Sequence, residues 1–333
     1  MDSSDSVLPL AVSVHLPVID FSDKTLKPGS SKWDEMKIDV RKALEDYGCF
    51  QASFDKVSAE LRKSVFEAVE ELFKLPIQTR QRNVSTKPFH GYLSHNLYQS
   101  FGIDDANVLD KVNDFTQQLW PDHGNTSISE TLHQFSEKLS ELDVMVRKMI
   151  MESFGLEKYI DGHLNSTYNT PRMMEYTAPP LLDADDEESK VCLRAHTDKN
   201  MITILHQHEV NGLEVKTKDE KWIKVKPSQD HFLVMVGDSL CALLNGRVFP
   251  PYHRVMMMGK ETRYSTALFS VPKPEVTIDS PEELVDEEHP RIFKPYEYKE
   301  FLHFLKLDVA LNQLFMLLLP SETLDLSDII NNV

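Results

Sequence analysis

The sequence has few cysteines and no long apolar run. Its 333 residues include three cysteines, Cys49, Cys192 and Cys241, which are odd in number and far apart. A disulfide framework is therefore not expected, and the reducing cytosol is the expected location. The longest apolar run, residues 314–319, is much shorter than the roughly 20 residues that cross a bilayer. The first 20 residues contain no basic stretch followed by an apolar segment, so a secretory signal is not expected.

Basic residues are also scarce. The chain has 36 Lys and Arg against 53 Asp and Glu, a formal net charge of −17, and no stripe of alternating basic and aromatic residues. Such a charge repels phosphate backbones and anionic lipid surfaces. We therefore expect neither a nucleic-acid nor a membrane partner. The length suits one large domain or two intimate ones, and we expect a monomer.

The first half of the chain carries helical patterns. Apolar residues at three- and four-residue steps predict helices over about residues 33–47 and 58–75. Residues 80–125 are predicted to be irregular, with Pro, Gly, Asn and aromatic residues interspersed. Ser127 and Glu130 match a capping box, in which each side chain satisfies a free backbone N–H, and this predicts that a long helix begins at Ser127.

The second half carries strand patterns. From about residue 172 the segments become short, β-branched and alternating, separated by Asn-Gly, Gly-Asp and Pro. They predict an antiparallel sandwich or barrel, followed by a last helical stretch over about residues 296–319. This order indicates an α+β protein around a jelly-roll core, or double-stranded β-helix. We place an N-terminal helical region at residues 1–170, the core at 171–275 and a C-terminal helical segment at 276–333.

Two histidines and an aspartate stand in a metal-binding pattern. His196 and Asp198 are two positions apart, so on a strand or its exit turn they share a face. His253 follows an Asn-Gly dipeptide at 245–246, which predicts a β-hairpin returning beside residues 231–244. A jelly roll can still bring His253 against the first core strand. Two histidines and one carboxylate form the facial triad of non-haem iron(II) oxygenases, which leaves three coordination positions open.

A basic residue and a hydroxyl follow the second histidine. Arg263 and Ser265 share one face of the next predicted strand. A guanidinium beside a hydroxyl is the expected receptor for the distal carboxylate of a 2-oxo acid that chelates the metal. Two open positions would then take oxygens of 2-oxoglutarate, and the third would take dioxygen. This pair separates a 2-oxoglutarate enzyme from one that needs iron alone.

Each residue also has a less specific interpretation when taken alone. A single His such as His253 is more often a buried structural residue than a ligand, and a single Arg such as Arg263 is usually salt-bridged or at the surface. His206 and His208 also share a face and form a rival metal pair, but their strand offers no carboxylate. The joint order of the four features favours the triad.

The sequence resembles the plant 2-oxoglutarate- and iron(II)-dependent dioxygenases. The family pattern is His-x-Asp, a long gap, His-Arg-Val and then Arg-x-Ser, and it stands here at residues 196–198, 253–255 and 263–265. LPVIDFS, ALEDYGCF and VGDSLCALLNGRV also match, so the resemblance spans roughly residues 16–305. VNDFTQQLWPD and RMMEYTAPP are similar to the AOP-like group, which includes glucosinolate side-chain dioxygenases and relatives that hydroxylate steroidal alkaloids.

The resemblance implies iron(II) at the triad, with 2-oxoglutarate and dioxygen as co-substrates and ascorbate as a stimulant. It implies that Arg263, Ser265 and Tyr176 bind 2-oxoglutarate. Many members carry Asn-Tyr-Tyr where this chain has Met174-Glu175-Tyr176, so the second Tyr is retained and the Asn is not. The implied fold is a helical N-terminal region on a double-stranded β-helix whose mouth a C-terminal helix covers, in a cytosolic enzyme of specialised metabolism.

The expected activity is hydroxylation of a small, bulky, apolar plant metabolite such as a steroidal alkaloid, coupled to decarboxylation of 2-oxoglutarate to succinate. The 90–120 region, the core strands and the C-terminal helix (Phe301, Phe304, Leu305) are expected to line the pocket, although these residues can equally close the core. Three alternatives stay open. The first is an auxin-type hormone-inactivating oxygenase, whose carboxylate substrate needs a second basic residue that the sequence cannot place. The others are a metal-binding jelly roll without catalysis and an iron oxidase that needs no 2-oxo acid.

Overall fold

The protein is described by a computed structural model. The part of the predicted last helix beyond residue 307 lies outside the described residues, and for Leu305 only the backbone is described. The described residues are 15–307, except Thr86, Pro88, Phe89, Asn96, residues 179–189 and Met258.

Helices cover one face of a large sheet. The longest, α5, packs against α1, α2 and α4 and also contacts the sheet. The predicted first and second helices are confirmed as α1 and α2, with Ser30 and Ser58 as their N-caps. No helix in the described part of the chain is both long and apolar enough to cross a bilayer. The helices are α1 (Ser31–Asp46), α2 (Ala59–Lys74), α3 (Ile77–Arg80), α4 (Leu109–Leu119), α5 (Thr126–Ser153), α6 (Ile160–Asn165), α7 (Asp238–Leu243) and α8 (Tyr298–Leu307).

Two sheets form the core of the fold. The large sheet has the order β1-β2-β10-β7-β12-β5-β4-β3, the small one has the order β6-β11-β8-β9, and β13 pairs with β14. The strands are β1 (Val18–Asp20), β2 (Cys49–Ser53), β3 (Leu93–His95), β4 (Tyr98–Gly102), β5 (Thr167–Tyr176), β6 (Val191–His196), β7 (Ile202–Gln207), β8 (Leu213–Lys216), β9 (Trp222–Lys224), β10 (His231–Val236), β11 (His253–Met256), β12 (Arg263–Pro272), β13 (Thr277–Ile278) and β14 (Tyr296–Glu297).

The two faces of the large sheet bury different clusters. Leu205 and Leu233 point toward the small sheet and pack with its Val215 and Val255. Neighbouring residues such as Ile204 point the opposite way, into the helices. This alternation follows from the two-residue period of a strand, and it makes the space between the sheets an interior in which polar side chains can be held.

The N-terminal region is less irregular than predicted. β3, β4 and α4 lie within residues 80–125, so the irregular assignment there is wrong in part. β4 pairs with β5, which lies far along the chain, and such non-local pairing leaves no local periodicity to detect. β1 to β4 all join the large sheet, so the helical region and the core share one sheet. The three-part domain division stays a prediction.

The Asn-Gly dipeptide does not form the predicted hairpin. It follows α7 instead, where Asn245 and Gly246 have φ angles of 49° and 77° and the Gly246 N–H donates to Cys241 O. A left-handed pair serves a helix C-terminus as well as a hairpin, so the dipeptide alone could not distinguish them. β11 therefore enters the small sheet between β6 and β8, rather than returning beside β10.

The predicted capping box of α5 is also wrong. The N-cap is Asn125, whose side chain accepts from the Ile128 N–H, and Ser127 lies exposed in the first turn. We expect Asn125→Ala to lower the free energy of unfolding by about 1 kcal/mol, since a backbone donor loses its partner. Ser127→Ala is the matched control and should change it by less than about 0.5 kcal/mol. Urea denaturation measures both, and equal effects would contradict the assignment of Asn125.

Candidate active site

The three candidate metal ligands come together between β6 and β11. His196 ends β6, Asp198 follows it, and His253 begins β11 directly opposite His196. Both Nε2 atoms lie 3.8 Å from Asp198 Oδ1. One ligand atom from each residue lies within 4.8 Å of the other two. Within the described residues, this is the one group of three such side chains close enough to hold a metal ion.

Backbone carbonyls orient both imidazoles. His196 Nδ1 donates to Arg194 O at 2.8 Å and His253 Nδ1 donates to Pro251 O at 3.2 Å. A carbonyl can only accept, so in the neutral form of each ring the proton lies on Nδ1 and the lone pair lies on Nε2, which faces Asp198. Desolvation by the surrounding protein, followed by the neighbouring His253, lowers the pKa of His196 to about 4. The ring is therefore neutral near pH 7, which is the form that binds a metal.

The carboxylate of Asp198 is held in place from behind. Thr203 Oγ1 donates to Asp198 Oδ2 at 2.5 Å, which leaves Oδ1 directed at the imidazoles. The loop carrying Asp198 is pinned by buried Asp238, which accepts from Thr197 Oγ1 at 3.0 Å and Lys199 Nζ at 2.5 Å. Sequence reasoning missed Thr203, although its proximity along the chain to Asp198 was an available signal.

Arg263 is a fully buried cation between the two sheets. Its Nη2 donates to Gln207 Oε1 at 2.8 Å, its Nη1 lies 3.4 Å from Ser265 Oγ, and its guanidinium lies 4.8 Å from the centre of the Tyr176 ring. Nε has no hydrogen-bond partner among the described residues. In the part of the chain that the structure describes, no carboxylate lies within ion-pair distance of it, and burial lowers the pKa of the guanidinium. A buried charge of this kind needs an anionic partner.

The strand register places the three predicted 2-oxoglutarate residues together. Tyr176 on β5 is the direct partner of Arg263 on β12, and Met174 is the partner of Ser265. The Tyr176 hydroxyl donates to Met174 Sδ at 3.5 Å, so the residue that replaces the usual Asn offers only a weak acceptor. Gln207, which was not predicted, anchors this group, since its Nε2 also donates to Val225 O at 3.2 Å.

The rival histidines lie elsewhere. His206 is buried against Phe66 and Phe232, with ring centroids 5.3 and 4.8 Å away, and the ring of His208 lies tilted against Phe66 with centroids 4.5 Å apart. Burial lowers the pKa of His206 to about 4. The pair does not join any group of three candidate ligands among the described residues. Their aromatic contacts account for them as packing residues.

A cavity of about 170 Å³ adjoins Asp198. As predicted, its lining includes a residue of the 90–120 region (His90), residues of the core strands and residues of α8. The α8 residues are Tyr298 and Leu302, however, and not the predicted ones. Phe301 instead packs against other buried aromatic rings, and Phe304 packs at the edge of the helical core. The alternative that these side chains close the core is therefore correct for both.

Comparison with known proteins decides the family. A model of the 2OG-Fe(II) oxygenase superfamily matches residues 168–272, and one described as non-haem dioxygenase in morphine synthesis N-terminal matches residues 16–123. The Probable 2-oxoglutarate-dependent dioxygenase AOP1.2 of Arabidopsis thaliana is 74% identical over 93% of this chain and 96% of its own length. The chain belongs to the 2-oxoglutarate- and iron(II)-dependent dioxygenases. It is an enzyme of this class that uses iron(II) and 2-oxoglutarate.

More distant relatives agree with this assignment. The 2-oxoglutarate-dependent dioxygenase AOP2 of Arabidopsis thaliana is 44% identical, with 88% of this chain and 94% of that protein covered. The crystal structure of a dioxygenase for auxin oxidation in rice is 30% identical, with a TM-score of 0.75 over 91% of this chain and 99% of that chain. The predicted plant AOP-like resemblance and the α+β jelly-roll fold are thus confirmed.

Proposed function

We propose that this dioxygenase hydroxylates a small metabolite with a largely apolar carbon skeleton while 2-oxoglutarate is decarboxylated to succinate. The observation that supports this most is the cluster of His196, Asp198 and His253 in the same barrel as Arg263, a buried cation with no carboxylate partner among the described residues. A binding jelly roll without catalysis has no use for both. We further propose that it acts as a monomer, without a nucleic-acid partner.

The donor set fits iron(II). Two imidazoles and one carboxylate match the facial triad of non-haem iron oxygenases, so we assign His196, Asp198 and His253 as the ligands. Iron(II) bound there supplies the activation of dioxygen that C–H hydroxylation requires. The task of the chain is to hold both Nε2 atoms and Asp198 Oδ1 turned toward one another.

The buried polar group around Arg263 fits 2-oxoglutarate. We assign Arg263 and Ser265 to its distal carboxylate and Tyr176 to the wall beside it. A carboxylate would neutralise the guanidinium through a charge-assisted hydrogen bond in a site of low dielectric. Gln207 Oε1 already accepts a hydrogen bond from Arg263 Nη2, and this bond orients the remaining N–H donors of the guanidinium.

Two kinds of substrate are candidates. The resemblance to steroidal alkaloid hydroxylases offers a steroid-like skeleton, and the structural similarity to dioxygenases named for auxin oxidation offers an organic acid. The described walls of the cavity beside Asp198 favour the second, because Arg172 lies in them. The sequence alone could not place this basic residue in the pocket.

Oxygen uptake and succinate formation test the reaction. The purified chain, supplied with iron(II), ascorbate and 2-oxoglutarate, should form succinate slowly alone and faster with a fractionated plant extract. Mass spectrometry should then find a product that has gained one oxygen. Succinate formation that does not depend on 2-oxoglutarate or iron would contradict the proposal.

The Thr203 hydroxyl should contribute to metal affinity. We expect Thr203→Val to weaken binding of Mn(II), an oxygen-stable substitute for iron(II), by about 10- to 100-fold, since partners of metal ligands contribute on this scale. Thr266→Val is the matched control, because this buried hydroxyl has no hydrogen-bond partner in the described part of the chain. Isothermal titration calorimetry measures both variants. Unchanged Mn(II) affinity in Thr203→Val would show that the bond to Asp198 does not position the carboxylate.

A further inference from the structure

The cavity beside Asp198 has one apolar wall and one basic wall. Phe269 and Val271 of β12 and Leu302 of α8 form apolar surface, while Arg172, Lys199 and His90 supply basic groups. A substrate bound in this space would lie beside Asp198, one of the proposed iron ligands. Its chemistry should therefore match these walls.

Arg172 is held in a defined position. It is 7% exposed, lies on β5 opposite Gly102 of β4, and donates from Nη1 to Ser100 Oγ. A Cβ on residue 102 would lie 3.0 Å from Arg172 Nη2, so the glycine leaves room for the guanidinium to lie over β4. A positioned guanidinium loses little freedom when it binds a planar oxyanion.

The described lining is richer in basic side chains than the chain as a whole. The chain carries 53 acidic and 36 basic residues, yet the described lining has three basic side chains and one carboxylate, Asp198. That carboxylate is a proposed iron ligand. Lys199 and His90 are held by Asp238 and Asp104, which lie outside the lining. The Asp238 carboxylate offsets the charge of Lys199, so the attraction of an anionic guest falls to Arg172 rather than to a net field of the lining.

The volume of the cavity also favours a small substrate. Its volume of about 170 Å³ is close to that of the engineered cavity of about 150 Å³ that binds benzene. One ring with a short side chain fits between the described walls, whereas a fused four-ring skeleton would extend beyond them.

We propose that Arg172 binds a carboxylate of the substrate, so that the enzyme hydroxylates a small organic acid with an apolar body. The apolar body lies against Phe269, Val271 and Leu302, and the carboxylate pairs with the guanidinium. A protonated alkaloid nitrogen would be repelled from the same place. This inference rests on the proposed function, because it takes Asp198 to mark the reaction centre.

Matched acids and amides test the proposal. The full chain is loaded with Mn(II) and 2-oxoglutarate, and the dissociation constants of phenylacetate, phenylacetamide, indole-3-acetate and indole-3-acetamide are measured by ligand-observed NMR. We expect at least one acid to bind about tenfold or more tightly than its amide. Arg172→Gln should remove this preference and Arg172→Lys should retain part of it. Arg82→Gln, which changes an exposed arginine, is the control and should retain it fully.

Two outcomes would overturn the proposed role of Arg172. If no acid binds more tightly than its amide to the wild-type enzyme, or if Arg172→Gln keeps the preference, the proposal is wrong. The comparison in the wild-type enzyme needs no variant and so stands even if Arg172→Gln does not fold. Succinate formation by the same wild-type preparation, supplied with iron(II) in place of Mn(II), reports on the proposed function separately, so the two can fail independently.

Discussion

Asp198→Ala should reduce 2-oxoglutarate-dependent succinate formation by more than about 100-fold, since it removes a ligand itself rather than a partner of a ligand. Asp198 Oδ1 lies 3.8 Å from each imidazole Nε2, and Asp198 is the one carboxylate of the described cluster. Two imidazoles alone cannot complete the triad. The loss should appear in both Mn(II) affinity and turnover.

The fold should survive this change. Asp198 lies in a loop, and the neighbouring Asp238 cluster that pins the loop is untouched. Asp219→Ala, an exposed carboxylate in the turn between β8 and β9, is the matched control and should keep full turnover. Wild-type succinate formation by a folded Asp198→Ala enzyme would refute the ligand assignment.

Arg263→Met should weaken 2-oxoglutarate binding by about 30-fold or more, because breaking a buried hydrogen-bonded charge pair costs about 2 kcal/mol at least. The effect should appear as a raised KM for 2-oxoglutarate with a smaller change in kcat. Direct titration of 2-oxoglutarate into the Mn(II)-loaded enzyme checks the affinity without depending on turnover.

A structural role for Arg263 makes a different prediction. Removing one member of a buried ion pair strongly destabilises a protein, because the other charge is left uncompensated. Arg263, however, has no carboxylate partner among the described residues. Removing its charge relieves a burial penalty, which offsets the loss of its bonds to Gln207 and Ser265. We therefore expect Arg263→Met to unfold cooperatively near the wild-type temperature. Severe destabilisation with unchanged 2-oxoglutarate affinity would contradict the assignment.

The sequence predicted the residues of the site better than it predicted the strand pairings around them. His196 and Asp198 share a strand exit, and Arg263 and Ser265 share a strand face, so local spacing carries that information. The meeting of His253 with His196 came from knowledge of the jelly roll. The local signal of the Asn-Gly turn indicated a hairpin with the wrong strand, because a left-handed pair also ends a helix.

Contacts between distant elements could not be predicted. Gln207 reaches Arg263 across neighbouring strands, and Arg172 shares a cavity with Asp198 although they lie in different parts of the barrel. Neither contact leaves a mark in the local sequence pattern. The charge of the substrate pocket, and so the class of substrate it favours, becomes accessible only from the folded arrangement.

An anaerobic titration tests the central claim most directly. A 2-oxo acid that chelates iron(II) gives a visible metal-to-ligand charge-transfer absorption, which either component alone does not give. With the wild-type protein and excess 2-oxoglutarate, the absorption should rise with added iron(II) and saturate at one iron per chain. An absorption that never forms, or that forms equally in His253→Ala, would contradict a single iron site built from these three side chains.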